Sequence, residues 1–380
     1  MLARGRLLWQ GARPLIGTVV GVGIFGLPYV FSRAGYVYGL IELVVIAALS
    51  LLTYLLYADL LAVSTTHARF VAMISHQLGL AGRWLASIGF FGALWGAMLA
   101  YIIVGGQFAV TALRPLVTIE LLQAQIFIWL LASVSIIGGN LFVRRLQAIF
   151  IPVFFVMIVA LTLFALPHLH FEYLTTFDPD NIFLPFGALI FAFSGFSAIP
   201  ECRDALGRHV GLMRPALWLG IGLVSVLYGL FCLAIVGLTG PFTSVQAVDG
   251  LRYVTDPWVA SFVSIIGLLT VFTAFISVGT SLTNSLLYDF RGRFLSSWAL
   301  VVLVPLVFLA VGARDFIQVI GATGGLLGGL CGLILLIAYE RARLTANLPK
   351  RALAVPQALV ALSFVLFIGM MVVTLVELAQ

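Results

Sequence analysis

Charge is what this 380-residue chain has least of: Asp, Glu, Lys and Arg make up 9% of it, while 62% is hydrophobic and the mean hydropathy is +1.18. A soluble core has no use for so much apolar surface, so the composition excludes a water-soluble globular protein and predicts a polytopic membrane protein. Cysteine is scarce as well. Cys202, Cys232 and Cys331 stand at wide, unpatterned intervals, which argues against a disulfide framework or a thiolate metal site. The five histidines (His67, His76, His168, His170 and His209) all fall in predicted loops. No span therefore carries the clustered His, Asp or Cys that a membrane-embedded enzyme needs, and none is expected. There is no Walker-type loop for ATP drive and no ring-forming charged filter for a channel. The hydrophobic run after Arg13 is too long for a cleavable signal and leads directly into another span. The tail before Pro14 is shorter than the extension a membrane sensor would be expected to signal with.

What the chain has in abundance is apolar runs of about 20 residues, the length that crosses a bilayer. Breaks at charged and turn-rich segments divide them into about eleven predicted helices: 14–34, 37–62, 84–111, 124–143, 146–167, 183–200, 215–239, 257–288, 294–311, 316–339 and 353–377. The predicted fold class is thus an all-α integral membrane protein, and residues 1–380 are expected to form one transmembrane domain. Alternate loops sort the basic residues sixteen to four. Arg4, Arg6, Arg13, Arg69, Arg83, Arg144, Arg145, Arg203, Arg208, Arg214, Arg291, Arg293, Arg341, Arg343, Lys350 and Arg351 lie on one side; Arg33, Arg114, Arg252 and Arg314 lie on the other. The positive-inside rule then predicts a multi-pass protein of the cell membrane with a cytoplasmic N-terminus and, after an odd number of spans, an extracytoplasmic C-terminus. The formal charge of +6 is accounted for by orientation, and nucleic-acid binding is set aside.

Within the first run, glycine recurs at Gly17, Gly21, Gly23 and Gly26, and Pro28 follows. Glycine and proline weaken a helix, and unwound backbone at membrane depth is tolerated only where it faces protein or a cavity. The freed groups are therefore expected to hold a ligand. Span six repeats the pattern: Ser194-Gly195 at its centre, then Pro200. Five crossings separate the two, so they run in opposite directions, and interrupted segments at matching positions point to inverted repeats with a site at the break. The glycines of 321–329, in span ten, lack a following proline and read as a packing surface or a hinge.

At these two segments the chain resembles the amino acid/auxin permease family, including its aromatic amino acid permease-like members, within the amino acid–polyamine–organocation superfamily. The match rests on Gly17-Thr18 through Gly26-Leu27-Pro28-Tyr29, on Phe191 through Pro200-Glu201, and on Ala100-Tyr101 through Gly105-Gly106. The resemblance implies a leucine-transporter-like fold of five plus five inverted repeats, with helices one and six broken and one extra C-terminal helix. It implies secondary-active, cation-coupled symport of a neutral, in the first instance aromatic, amino acid by alternating access. An amino-acid sensor or an uncoupled exchanger is the alternative.

A zwitterionic amino acid needs donors for its carboxylate and acceptors for its ammonium, and the ends of broken helices supply both. The backbone at Gly21, Val22 and Gly23 is expected to receive the carboxylate. Carbonyls near Phe193 and Ser194, beside Gly195, are expected to hold the ammonium, and Phe25, Tyr101, Phe193 and Phe196 to line or gate the pocket. No cofactor is expected; the partners are a small amino acid and the bilayer, with the chain acting as a monomer. By resemblance, a sodium site would use carbonyls of Gly17, Val20 and Ser277 with the hydroxyls of Thr280 and Ser281. Predicted span five carries no lysine or arginine to replace such a cation, which favours sodium, and buried Glu42 or interfacial Asp59 leave a proton open. Arg13 pairing with Asp289, joined by Glu201, is the expected inner gate.

Overall fold

In the computed structural model the described residues are 2–64, 68–114, 117, 119–345, 348, 352–353 and 355–379. His67, Lys350 and Arg351, assigned above to loops of the basic face, lie outside them. The helices are α1 (Leu2–Val19), α2 (Gly23–Ala34), α3 (Tyr36–Ala62), α4 (Phe70–Leu113), α5 (Leu121–Ser135), α6 (Gly139–Ala165), a single turn α7 (Phe171–Leu174), α8 (Leu184–Ala192), α9 (Ile199–Leu206), α10 (Met213–Thr239), α11 (Pro257–Phe290), α12 (Phe294–Ala310), α13 (Phe316–Gly321), α14 (Gly329–Leu344) and α15 (Gln357–Ala379).

Among the described residues, seven helical runs are long and apolar enough to cross a bilayer, and α1 with α2 forms one further span bent by 61°. Two of the seven, of 48 and 59 residues, are too long for one crossing: at 1.5 Å per residue each exceeds about 70 Å, against a hydrocarbon core of about 30 Å. Both are interrupted, one at the 3₁₀ turn Ile136–Gly138 and the other at the 3₁₀ turn Gly207–Leu212. Dividing them there, and counting the bent pair and the 17-residue α12, recovers the eleven predicted crossings. The architecture is the five-plus-five inverted repeat, α1–α6 against α8–α14, with α15 appended.

Several boundaries move. α4 begins at Phe70, well before the predicted residue 84, because its first turns form a separate segment: Gly79 takes φ 71° and ψ −154°, a corner that side-chain-bearing residues rarely adopt. His76, expected in a loop, therefore sits on that helix. The junction between spans four and five lies at residues 136–139 rather than near 145, so Arg144, Arg145 and Gln147 all belong to α6. The expectation that span five holds no arginine is corrected by that shift. The glycine run of span ten winds as a π-helix over Ala322–Gly328. It packs tightly: a Cβ on Gly324 would strike the Gly187 carbonyl of α8, and one on Gly329 would meet Met371 of α15 at 2.8 Å.

Candidate functional site at the two helix breaks

The core that positions the site is made by α1 against α10 and α9, and by α11 along α4. α1 stops at Val19, and α2 restarts at Gly23. The second interruption runs from Phe193 to the 3₁₀ turn Phe196–Ala198. The two breaks touch: a Cβ on Gly23 would lie 2.6 Å from the Cα of Ala192, and one on Gly195 would lie 2.6 and 2.8 Å from Leu15 and Val19 side chains. Glycine at these points is required by close approach of helices.

A cavity of about 20 Å³ lies where they meet. That is room for a water molecule or two, not for an amino acid, so the site is closed in this conformation. Thr18, Val19, Gly21 and Gly23 line it from the first break, Phe191 and Ser194 from the second, Ala93, Leu94, Ala97 and Tyr101 from α4, Val278 from α11 and Thr323 from the π-turn. Tyr101 leans on the first break, its Oη 2.9 Å from where a Gly21 Cβ would be.

Five expected lining residues stand elsewhere. Phe25 is fully buried in an aromatic cluster with Phe108, Phe231 and Phe154, at centroid distances of 4.7, 5.6 and 6.1 Å. Two positions beyond Gly23 is about 200° around a helix, which turns it away from the cavity. Phe193 packs on Tyr228 at 5.2 Å, and Phe196 packs on Tyr54 and Phe70 at 5.3 and 5.5 Å, below the cavity. Val22 and Gly195 are buried without lining the cavity.

The freed carbonyls of the second break are in use. The Tyr54 hydroxyl, from α3, donates to the Phe193 carbonyl and accepts the Gly195 N–H. The Tyr228 hydroxyl, from α10, reaches Val19 and Ala192 carbonyls at 2.7 and 2.8 Å. An unpaired polar group in an apolar setting costs about 2–7 kcal/mol, so these two phenols are what make the break tolerable.

The sequence falls under one family description. A model of the tryptophan/tyrosine permease family matches residues 4–376. The chain belongs to that family. This permease is 23% identical over 355 residues to the tyrosine-specific transport system 1 of Haemophilus influenzae, with 88% of each chain covered. It is 21% identical over 333 residues to glutamine transporter 2 of Aliivibrio fischeri, covering 84% of this chain and 85% of that one. Among solved structures, MhsT in complex with L-phenylalanine superposes with a TM-score of 0.67 at 12% identity, covering 97% of both chains. Mhp1, a nucleobase-cation-symport-1 family transporter in a closed conformation with bromovinylhydantoin bound, gives 0.63 at 15%, covering 97% of this chain and 91% of that one. The permease thus has the leucine-transporter-like fold and is a multi-pass membrane transporter, not an enzyme.

Of the expected cation ligands, Ser277 shares a buried polar knot that the sequence reading missed. Thr18 Oγ1 lies 3.2 Å from Ser277 Oγ, and Gln147 Nε2 of α6 donates to the same Ser277 oxygen at 3.2 Å. A Cβ on Gly17 would sit 2.5 Å from that Gln147 nitrogen. Ser281 instead donates to Glu201 Oε1 at 2.6 Å. Thr280 Oγ1 is buried with no hydrogen-bond partner among the described residues, and Val20 N bonds back to the Ile16 carbonyl at 2.8 Å.

On the basic face, the expected Arg13–Asp289 pair is not formed among the described residues. Asp289 accepts the amides of Arg69 and Ala72 at 3.2 and 3.3 Å, because the start of α4 presents free N–H groups and a partial positive charge. Arg69 pairs instead with Asp204 at 3.1 Å, a carboxylate that Arg203 also approaches at 3.6 Å, and Arg69 lies 5.5 Å from the Tyr288 ring. Above it Phe70, Phe196, Glu201 and Ser281 close round a space with no room for water. On the opposite face a cleft of about 1030 Å³ stands among Tyr29, Arg33, Gln246, Arg314 and Phe316. Asp59, expected at the interface, is buried and bound to Arg214 at 2.7 Å.

Proposed function

We propose that this permease is a secondary-active importer that carries a neutral amino acid, aromatic ones foremost, into the cytoplasm with a coupled cation by alternating access. The observation that carries the reading is the cavity itself: backbone of both broken helices and the Tyr101 ring surround it, and none of its lining side chains is charged. A substrate with a charged side chain would be buried there without a partner, a large penalty. Amides at the start of α2 suit a carboxylate, and carbonyls at the ends of α1 and α8 suit an ammonium. The relatives named for tyrosine and for glutamine support a neutral amino acid as substrate.

The sixteen-to-four split of basic residues supports a cytoplasmic N-terminus. In that orientation the Arg69–Asp204 face is cytoplasmic and shut, and the 1030 Å³ cleft is the outer vestibule. For coupling, sodium ligation by Gly17, Val20, Ser277, Thr280 and Ser281 draws support from the unpartnered Thr280 hydroxyl, since oxygen ligands suit a hard cation. A specific observation favours a proton instead: the Gln147 amide donates to Ser277 beside Gly17, putting a fixed neutral donor where sodium would need oxygens.

Uptake of a panel of labelled amino acids into proteoliposomes, run separately under sodium and proton gradients, tests the proposal. Concentrative uptake of a neutral amino acid under one gradient is expected. Counterflow without accumulation under either gradient would replace symport by exchange, and failure to move any amino acid would remove the reading altogether.

A further inference from the structure

Both half-helices that end at the cavity end in carbonyls that no further helical turn can serve. Val19 closes α1 and Ala192 closes α8, and helix C-termini carry a partial negative charge. Two such ends brought together would ordinarily draw in a cation. A phenol stands there instead. Tyr228, fully buried on α10, holds its Oη 2.7 Å from the Val19 carbonyl and 2.8 Å from that of Ala192. A hydroxyl owns one proton, so it serves one carbonyl fully or both weakly. Val19, but not Ala192, lines the cavity, and its carbonyl also receives the Gly21 amide at 2.8 Å.

We propose that Tyr228 is the positioning residue for the substrate's ammonium group. In this closed conformation its phenol spans the two half-helix ends in place of a cation. When an α-ammonium enters, one of its N–H groups takes the Val19 carbonyl, and the Tyr228 hydroxyl, its proton retained, donates to Ala192 alone. Binding thereby completes a donor set that the single phenol proton leaves one short, and α10 registers the change through its hold on both broken helices. The proposal rests on the cavity being an amino-acid site.

The test compares two probes on the purified full-length protein: L-tyrosine and its des-amino analogue 3-(4-hydroxyphenyl)propionate, with L-glutamine as a second amino acid. Tyr228→Phe keeps the ring and removes the donor. The expected result is an affinity loss of about tenfold for the amino acid that the wild type binds, the size of one hydrogen bond left unmade. The weak binding of the des-amino analogue should stay within about twofold. Equal loss for both probes would make Tyr228 a purely structural residue, and no loss for either would also overturn the proposal. Failure of the wild type to bind any of a panel of neutral amino acids would overturn the cavity reading itself, a different failure. Should Tyr228→Phe not fold, 3-fluorotyrosine placed at position 228 provides the readout. Its ¹⁹F resonance should shift on adding the amino acid and hold still with the analogue; no shift with the amino acid would refute the proposal.

Discussion

The two helix breaks look alike in sequence and share one support, the Tyr228 hydroxyl, but differ in the rest of what maintains them. The first, residues 20–22, is glycine-flanked, and its neighbours approach so closely that Gly17 abuts Gln147 and Gly23 abuts Ala192. The second, from Phe193 to Ala198, is maintained from outside: phenols on α3 and α10 reach in to its carbonyls. Close approach at glycine dominates the first break, and hydroxyls lent from helices distant in the chain dominate the second, with Tyr228 serving both. The contrast teaches that a broken span is only half of a site. The other half is whichever helices satisfy what the break exposes.

The comparison can be broken most severely at Gly23. A β-branched side chain there must displace the Ala192 backbone, 2.6 Å from the built Cβ, so Gly23→Val is expected to abolish uptake, more than about a hundredfold, a loss of about 2.7 kcal/mol or more. Retained transport by a folded, inserted Gly23→Val protein would show that the breaks do not need to touch. A smaller effect is expected at the gate below the second break. Arg69→Ala removes the ion pair with Asp204. Arg69 is buried and the Asp204 side chain is 37% exposed, so the loss is expected to cost more than a surface pair, on the order of 1–3 kcal/mol of stability. In the folded Arg69→Ala protein, cysteines placed near Phe196 should become several times more reactive from the basic face; unchanged reactivity would mean that Arg69 does not close that side.

The coupling question separates two neighbouring residues. Thr280→Ala should weaken sodium activation selectively if sodium binds there, whereas Gln147→Ala should leave sodium activation intact and alter the dependence on a proton gradient if the amide takes the cation's place. Sodium response unchanged by Thr280→Ala would remove the proposed sodium site. The mildest change expected is Phe25→Leu. It costs packing in the cluster with Phe108, Phe154 and Phe231, about 1–2 kcal/mol of stability. Substrate affinity should stay within about twofold; a larger change in affinity than in stability would put Phe25 back into the pocket.

Both breaks were legible because glycine and proline act on the helix that contains them, a local effect. So were the eleven crossings, since span length is set by bilayer thickness. Gly21, Gly23, Tyr101 and Ser194, expected to bind the substrate, line the cavity where the breaks meet. Phe25 and Phe193 were misread because nearness to a break along the chain does not give direction around a helix. Tyr54, Tyr228, Gln147 and Arg69 were not found at all. Each sits among ordinary residues of its own segment, and its part depends on which helices become neighbours. The span four to span five junction was misplaced because Arg144 and Arg145 read as a loop, although they sit on the first turns of α6.

The central claim is that the substrate's carboxylate end lies against the first break, between Gly21 and Tyr101. Equilibrium binding of L-tyrosine and L-glutamine to the wild type and to Gly21→Ala tests it most directly. The added methyl would lie 2.9 Å from the Tyr101 hydroxyl and 3.2 Å from Ala274, in the cavity wall, where its three nearest neighbours are all side-chain atoms. The predicted result is a folded protein that has lost at least about tenfold in affinity, about 1.4 kcal/mol. A Gly21→Ala protein that binds its amino acid as tightly as the wild type would contradict the account.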